Sequence, residues 1–138
     1  MNSRTLTWIA GAVFAVSYFL PAYDSQRGYQ CFVWCWGFLT GLVDDSQDPL
    51  FLRLYYPAFV LTNVLFVTIV AATLASPRFF RTRLFLCMLA FFHVLSWLIL
   101  NVNKESFSAL MPGYYAWFAA YGLLLAALLV ENKKPSVA

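Results

Sequence analysis

Ser76-Pro77-Arg78-Phe79-Phe80-Arg81-Thr82-Arg83 is a short basic break between two long apolar runs, and the fold follows from how it is read. Three arginines within six residues are costly to carry across a bilayer, so the break is expected to stay on the cytoplasmic side. The chain then becomes two membrane hairpins, one on each side of it. Leu54–Ala75 precedes the break as 22 residues without a charge, and Leu84–Leu100 follows it. Both are long enough to cross a bilayer core as helices. Further out, Leu6–Ala22 and Tyr114–Val130 predict the first and fourth spans. We therefore expect an all-α membrane protein with four transmembrane helices in one domain and both termini cytoplasmic.

Composition supports this. Of 138 residues, 62% are hydrophobic and 11% charged, far from the roughly 45–50% and about 25% of soluble domains. Charge sorts with topology. The expected inner segments hold six cations (Arg4, Arg78, Arg81, Arg83, Lys133, Lys134) against Glu131, and the outer ones three (Arg27, Arg53, Lys104) against five acids. Such asymmetry orients a membrane protein with its basic segments inside, and a bacterial inner membrane is the expected location. No zinc spacing, basic helix or phosphate loop is present, so nucleic acid, a cofactor and a bound metal are not expected. A basic start before an apolar run also fits a signal peptide. The end Phe19-Leu20-Pro21-Ala22 lacks a small residue three places before Ala22, which favours an uncleaved helix. Gly11 and Ala15 are spaced for close helix packing.

Between the first two spans lies Tyr29–Val43, apolar and aromatic but too short to span. An interfacial helix is expected there, because Trp and Tyr favour that depth. The polar turn Asp44–Pro49 ends it, and Pro112-Gly113 punctuates the second outer loop.

Three groups of residues carry candidate chemistry. Asn63 and His93 sit near the middle of adjacent spans, with Trp97 one turn beyond His93. Polar groups at that depth either serve a ligand, such as a lipid or quinone head, or lock helices together. Cys31 and Cys35 form C-x-x-x-C on the outer side, where a disulfide is permitted. The third group is aromatic: Tyr29, Phe32, Trp34 and Trp36 in the interfacial stretch, and Tyr114, Tyr115 and Trp117 at the start of the last span. An aromatic belt explains such positions, and so does a recognition surface.

Two resemblances bear on these groups. Four spans with a cysteine pair in the first outer segment resemble the bacterial quinone-linked disulfide-forming membrane oxidases. Those carry C-x-x-C there and a second pair in the second outer loop, whereas 101–113 holds no cysteine and Cys87 lies within the third span. Ser17-Tyr18-Phe19-Leu20-Pro21-Ala22, Gly28-Tyr29-Gln30-x-Phe32 and Pro112-Gly113-Tyr114-Tyr115-x-Trp117 resemble a group of small bacterial inner-membrane proteins of uncharacterised function. That resemblance implies four spans and assigns no catalytic residue. With no catalytic constellation, the leading expectation is a non-enzymatic accessory, assembly or immunity-type factor. Its partners would be the lipid bilayer and a membrane protein or a second copy of the chain. Lipid or quinone binding at Asn63, His93 and Trp97 is the alternative, and thiol–disulfide exchange at Cys31 and Cys35 a third.

Overall fold

The computed structural model describes residues 2–43, 49–76, 78–101 and 109–132. Expectations for Asp44, Asp45, Asp48, Pro77, Lys104, Glu105, Lys133 and Lys134 lie outside the described residues. Among the described residues there are five helices: α1 (Ser3–Ser17), α2 (Gly28–Thr40), α3 (Leu50–Ala75), α4 (Phe80–Asn101) and α5 (Pro112–Asn132). A two-stranded hairpin, β1 (Pro21–Tyr23) and β2 (Gln26–Arg27), joins α1 to α2. Three helices, α3, α4 and α5, are long and apolar enough to cross a membrane.

The first helix differs from the expected 6–22. It begins earlier, where the Asn2 side chain accepts from the Thr5 amide at 2.8 Å. It ends five residues sooner, because Tyr18 and Phe19 tighten onto the carbonyls of Ala15 and Val16, and Pro21 cannot continue a helix. At 15 residues, α1 is about 22 Å long. The expected close approach at Gly11 is absent: a Cβ there would meet only Val70, at 3.9 Å.

The basic break is also shorter than expected. Phe79 adopts a left-handed φ of 57° and turns the chain sharply. α4 starts at Phe80, so Arg81 and Arg83 belong to the helix. Arg83 is 4% exposed and pairs with Glu131 of α5 at 2.9 Å, which is how a cation comes to be buried there. α3 starts at Leu50 rather than 54, which brings Arg53 into its first turn. The last helix extends two residues beyond each end of the expected 114–130.

Buried residues fall in stripes of helical period. In α1 they are Leu6, Ala10, Phe14 and Ser17, and in α4 they are Arg83, Cys87, Ala90 and Val94. α5 is central, with α1 on one side and α4 on the other, and α3 closes the arrangement against both. The core is aromatic at its heart: Phe14 stacks on Phe66 at 4.1 Å, and Phe66 meets Tyr121 edge-on at 4.8 Å. Two tyrosine hydroxyls tie helices by donating to carbonyls on neighbours, Tyr114 to Val94 (2.8 Å) and Tyr121 to Thr62 (3.1 Å). Outward faces stay apolar: Trp8, Phe85, Phe92 and Leu61 are each more than half exposed. A surface of that kind needs a nonaqueous cover.

At one end, α2 packs on α3 and the hairpin clamps the end of α1 to the start of α5. Asp24 and Ser25 both have positive φ, as the tight turn of a two-residue hairpin requires. The Asp24 amide donates to the Ala109 carbonyl and the Met111 amide to the Ala22 carbonyl, so Tyr23 bridges Leu110 across to the other loop.

A cleft beneath the short helix

The clamp leaves a cleft of about 260 Å³ between α2 and the ends of α1, α3, α4 and α5. Local sequence explains each wall. Tyr56, Phe59 and Asn63 are spaced i, i+3 and i+7, so one stripe of α3 faces the cleft. On α2, Cys31 and Cys35 are one turn apart, with Phe32 and Trp34 beside them. Gly28 and Gly113 let backbone strands approach where any side chain would collide. A Cβ on Gly28 would lie 2.5 Å from the Ser17 oxygen, and one on Gly113 would lie 2.6 Å from the Pro21 oxygen.

The three strings quoted for the bacterial resemblance converge here. Ser17 and Tyr18 close α1, Gly28 and Phe32 open α2, and Gly113, Tyr114 and Trp117 open α5, all lining one cleft. They are joined by backbone bonds from Gly28 to Leu20 (3.1 Å) and from Tyr29 to Tyr18 (3.0 Å).

Of the residues singled out in the sequence, Asn63, Trp97, Phe32, Trp34, Tyr114, Trp117, Cys31 and Cys35 line the cleft. Tyr29, Trp36 and Tyr115 do not; they are exposed on the outside of the same end. His93 sits one layer behind, its ring 4.6 Å from that of Phe59 and 4.9 Å from that of Tyr55. Its Nε2 is enclosed, with no hydrogen bond among the described residues. Asn63 and His93 therefore do not bond each other. Asn63 Oδ1 instead accepts from Trp117 Nε1 at 2.8 Å. Phe59 is a cleft residue that the sequence does not single out, whereas Tyr18 and Tyr56 read there only as aromatic-belt positions. The spacing from Asn63 was the available signal for Tyr56 and Phe59.

The walls are rings held by other rings. Trp97 lies 5.8 Å from Phe59 and 6.0 Å from Tyr23, and Phe59 lies 5.7 Å from Trp117. Among the described residues, no Asp, Glu, Lys, Arg or His side chain lines the cleft. Its polar groups are few: the Asn63 amide, hydroxyls, the Gln26 amide and two thiols.

Both thiols are free. Burial pushes Cys31 above the ordinary thiol range and Cys35 up to about 12, the latter helped by the neighbouring Cys31. Thiol exchange uses the thiolate and therefore needs the opposite shift. Against an ordinary value of 9.0, a value of about 12 lowers the thiolate fraction at neutral pH about a thousandfold. Iodoacetamide at pH 8 should thus label Cys35 far more slowly than it labels an unfolded control. Intact-mass kinetics in native membranes would check this, and fast labelling with turnover to a disulfide would restore the redox reading.

No family model matches the chain, and neither does any curated protein or solved structure.

Proposed function

We propose that the chain is a four-span membrane protein that holds an uncharged lipid-soluble ligand, lipid or quinone, in the cleft beneath α2 without transforming it. The observation that carries this is the cleft itself: about 260 Å³, ringed by aromatic side chains, with no charged side chain among the described residues that line it. Ligand sites are typically concave and apolar with few polar groups. At roughly 30 Å³ per water, the space equals eight or nine waters, so a ring-sized head fits and any tail must leave between the helices into lipid.

In this arrangement α1, α3, α4 and α5 span, and α2 lies in the outer interface as a cover. Both termini are cytoplasmic, as the arginines around the α3–α4 turn favour. The apolar outward face of α1, with Trp8 66% and Val16 54% exposed, supports membrane burial of that short helix. Its length falls below the roughly 30 Å hydrocarbon core, which local thinning of the bilayer accommodates.

Native purification in lipid nanodiscs, followed by lipid and protein mass spectrometry, tests the proposal. One neutral lipid-soluble molecule per chain is expected, and Ala22→Trp, which adds a large side chain to the cleft lining, should remove it. Recovery of bulk phospholipid alone would refute it. A second reading, an accessory factor acting by contact, is favoured by the outer face of α2, where Tyr29 and Trp36 are each more than two fifths exposed. A stoichiometric protein lost on Trp36→Ala would support that reading.

A further inference from the structure

We infer that the cleft selects a planar, uncharged head bearing a carbonyl oxygen, and that Asn63 is the residue that recognises it, held in orientation by Trp117. The inference rests on the binding proposal above and specifies its ligand.

An indole nitrogen only donates, so the Asn63 atom 2.8 Å from Trp117 Nε1 must be the amide oxygen. That settles which way the amide faces. Its NH₂ group is left with two donors and no hydrogen bond to any described residue. Asn63 is 8% exposed, and the void it borders is the cleft. Asn63 borders the cleft, so an occupant with an acceptor there can take a hydrogen bond that no described residue takes. The enclosed His93 Nε2 differs: its ring packs 4.6 Å from that of Phe59, and His93 does not line the cleft. The same cleft is lined by Phe59, Trp97, Trp117 and Tyr114, four rings that favour a flat partner by offset or edge contact. Among the described lining residues none is a cation, so an anionic head would be stripped of water without a described counter-charge. Ionised phospholipid heads are thereby disfavoured, and a quinone-like or aryl-ketone head fits.

The test uses the full chain in nanodiscs and four probes: decanophenone, decylbenzene, 4-decylbenzoate and dioctanoylglycerol. The first two share ring and tail and differ by one carbonyl. Native mass spectrometry across a titration gives the affinity ratio. Decanophenone should bind roughly tenfold tighter than decylbenzene, the worth of one good hydrogen bond. 4-Decylbenzoate should bind more weakly than either, and dioctanoylglycerol, with carbonyls and no ring, more weakly than decanophenone. Asn63→Leu should bring the first ratio to about one. Trp117→Phe keeps Asn63 but frees its amide to turn, and should lower the ratio in part. That covers the case in which Asn63→Leu does not fold.

Equal binding of decanophenone and decylbenzene, or a ratio insensitive to both variants, would overturn the role of Asn63 while leaving the cleft as a binding site. Tighter binding of dioctanoylglycerol or of the benzoate would overturn the planar or uncharged specification. Failure of all four probes to bind would refute the binding proposal itself.

Discussion

Glu131→Gln should destabilise the protein by less than the about 3–5 kcal/mol measured when one partner of a fully buried ion pair is removed, because Glu131 is 20% exposed. The Arg83 and Glu131 side chains are 5% and 20% exposed and meet at 2.9 Å and 3.4 Å, a two-pronged contact. Glutamine keeps the shape and removes the charge facing the guanidinium, which stays largely out of water. Arg83→Leu should cost less, since Glu131 is better exposed and can recover solvent. The double change Arg83→Leu with Glu131→Leu should regain most of the loss, because apolar residues of similar volume often replace a buried pair without penalty. Unfolding by SDS in bicelles, followed by helicity, reads all three. Losses that simply add in the double variant would show that the pair is not coupled.

That pair also marks what the sequence could and could not convey. The spans α3, α4 and α5 were legible because lipid imposes a length and an apolar composition that few other segments meet. Arg83 was visible as one of three arginines, but its partner is 48 residues away. Charge counting assigns a side of the membrane, not a contact. Asn63 shows the same limit in rotation. Its position along α3 predicted a depth close to that of His93. Depth leaves the direction around the helix axis open, and Asn63 faces Trp117 of α5 while His93 packs on Tyr55 and Phe59. The end of α1 was readable in hindsight from Pro21, since the residue before a proline resists helix. The clamp was not: its tight turn uses Asp24-Ser25 rather than glycine, and its third strand is a bridge to Leu110. Composition did show an aromatic surplus in two separated stretches. Only the hairpin, drawing α1, α2 and α5 together, turns that surplus into the wall of one cleft.

Gly113→Ala should disrupt the clamp and cost stability near the upper end of the roughly 1–3 kcal/mol expected for overpacking. The new methyl would lie 2.6 Å from the Pro21 oxygen, 2.8 Å from the Leu20 oxygen and 2.9 Å from the Pro21 carbonyl carbon. These are backbone atoms, so no side chain can rotate away. Relief requires moving β1 off the start of α5, which strains the bonds from Asp24 to Ala109 and from Met111 to Ala22. Gly28→Ala presses on the other side of the same segment, 2.5 Å from the Ser17 oxygen and 2.8 Å from the Tyr18 Cα. Both changes should loosen α2 from the end of α1, so Cys35, 8% exposed, should become labelled by maleimide severalfold faster. Gly11→Ala is the control. Its methyl would meet only Val70 at an ordinary 3.9 Å, in the middle of α1. An alanine there should be neutral or stabilise by about 0.5–1 kcal/mol through helix propensity. Equal effects at all three glycines would mean that propensity, not close approach, governs them. A loss at Gly28 and Gly113 alone, with faster labelling of Cys35, would place the cover of the cleft on those two contacts.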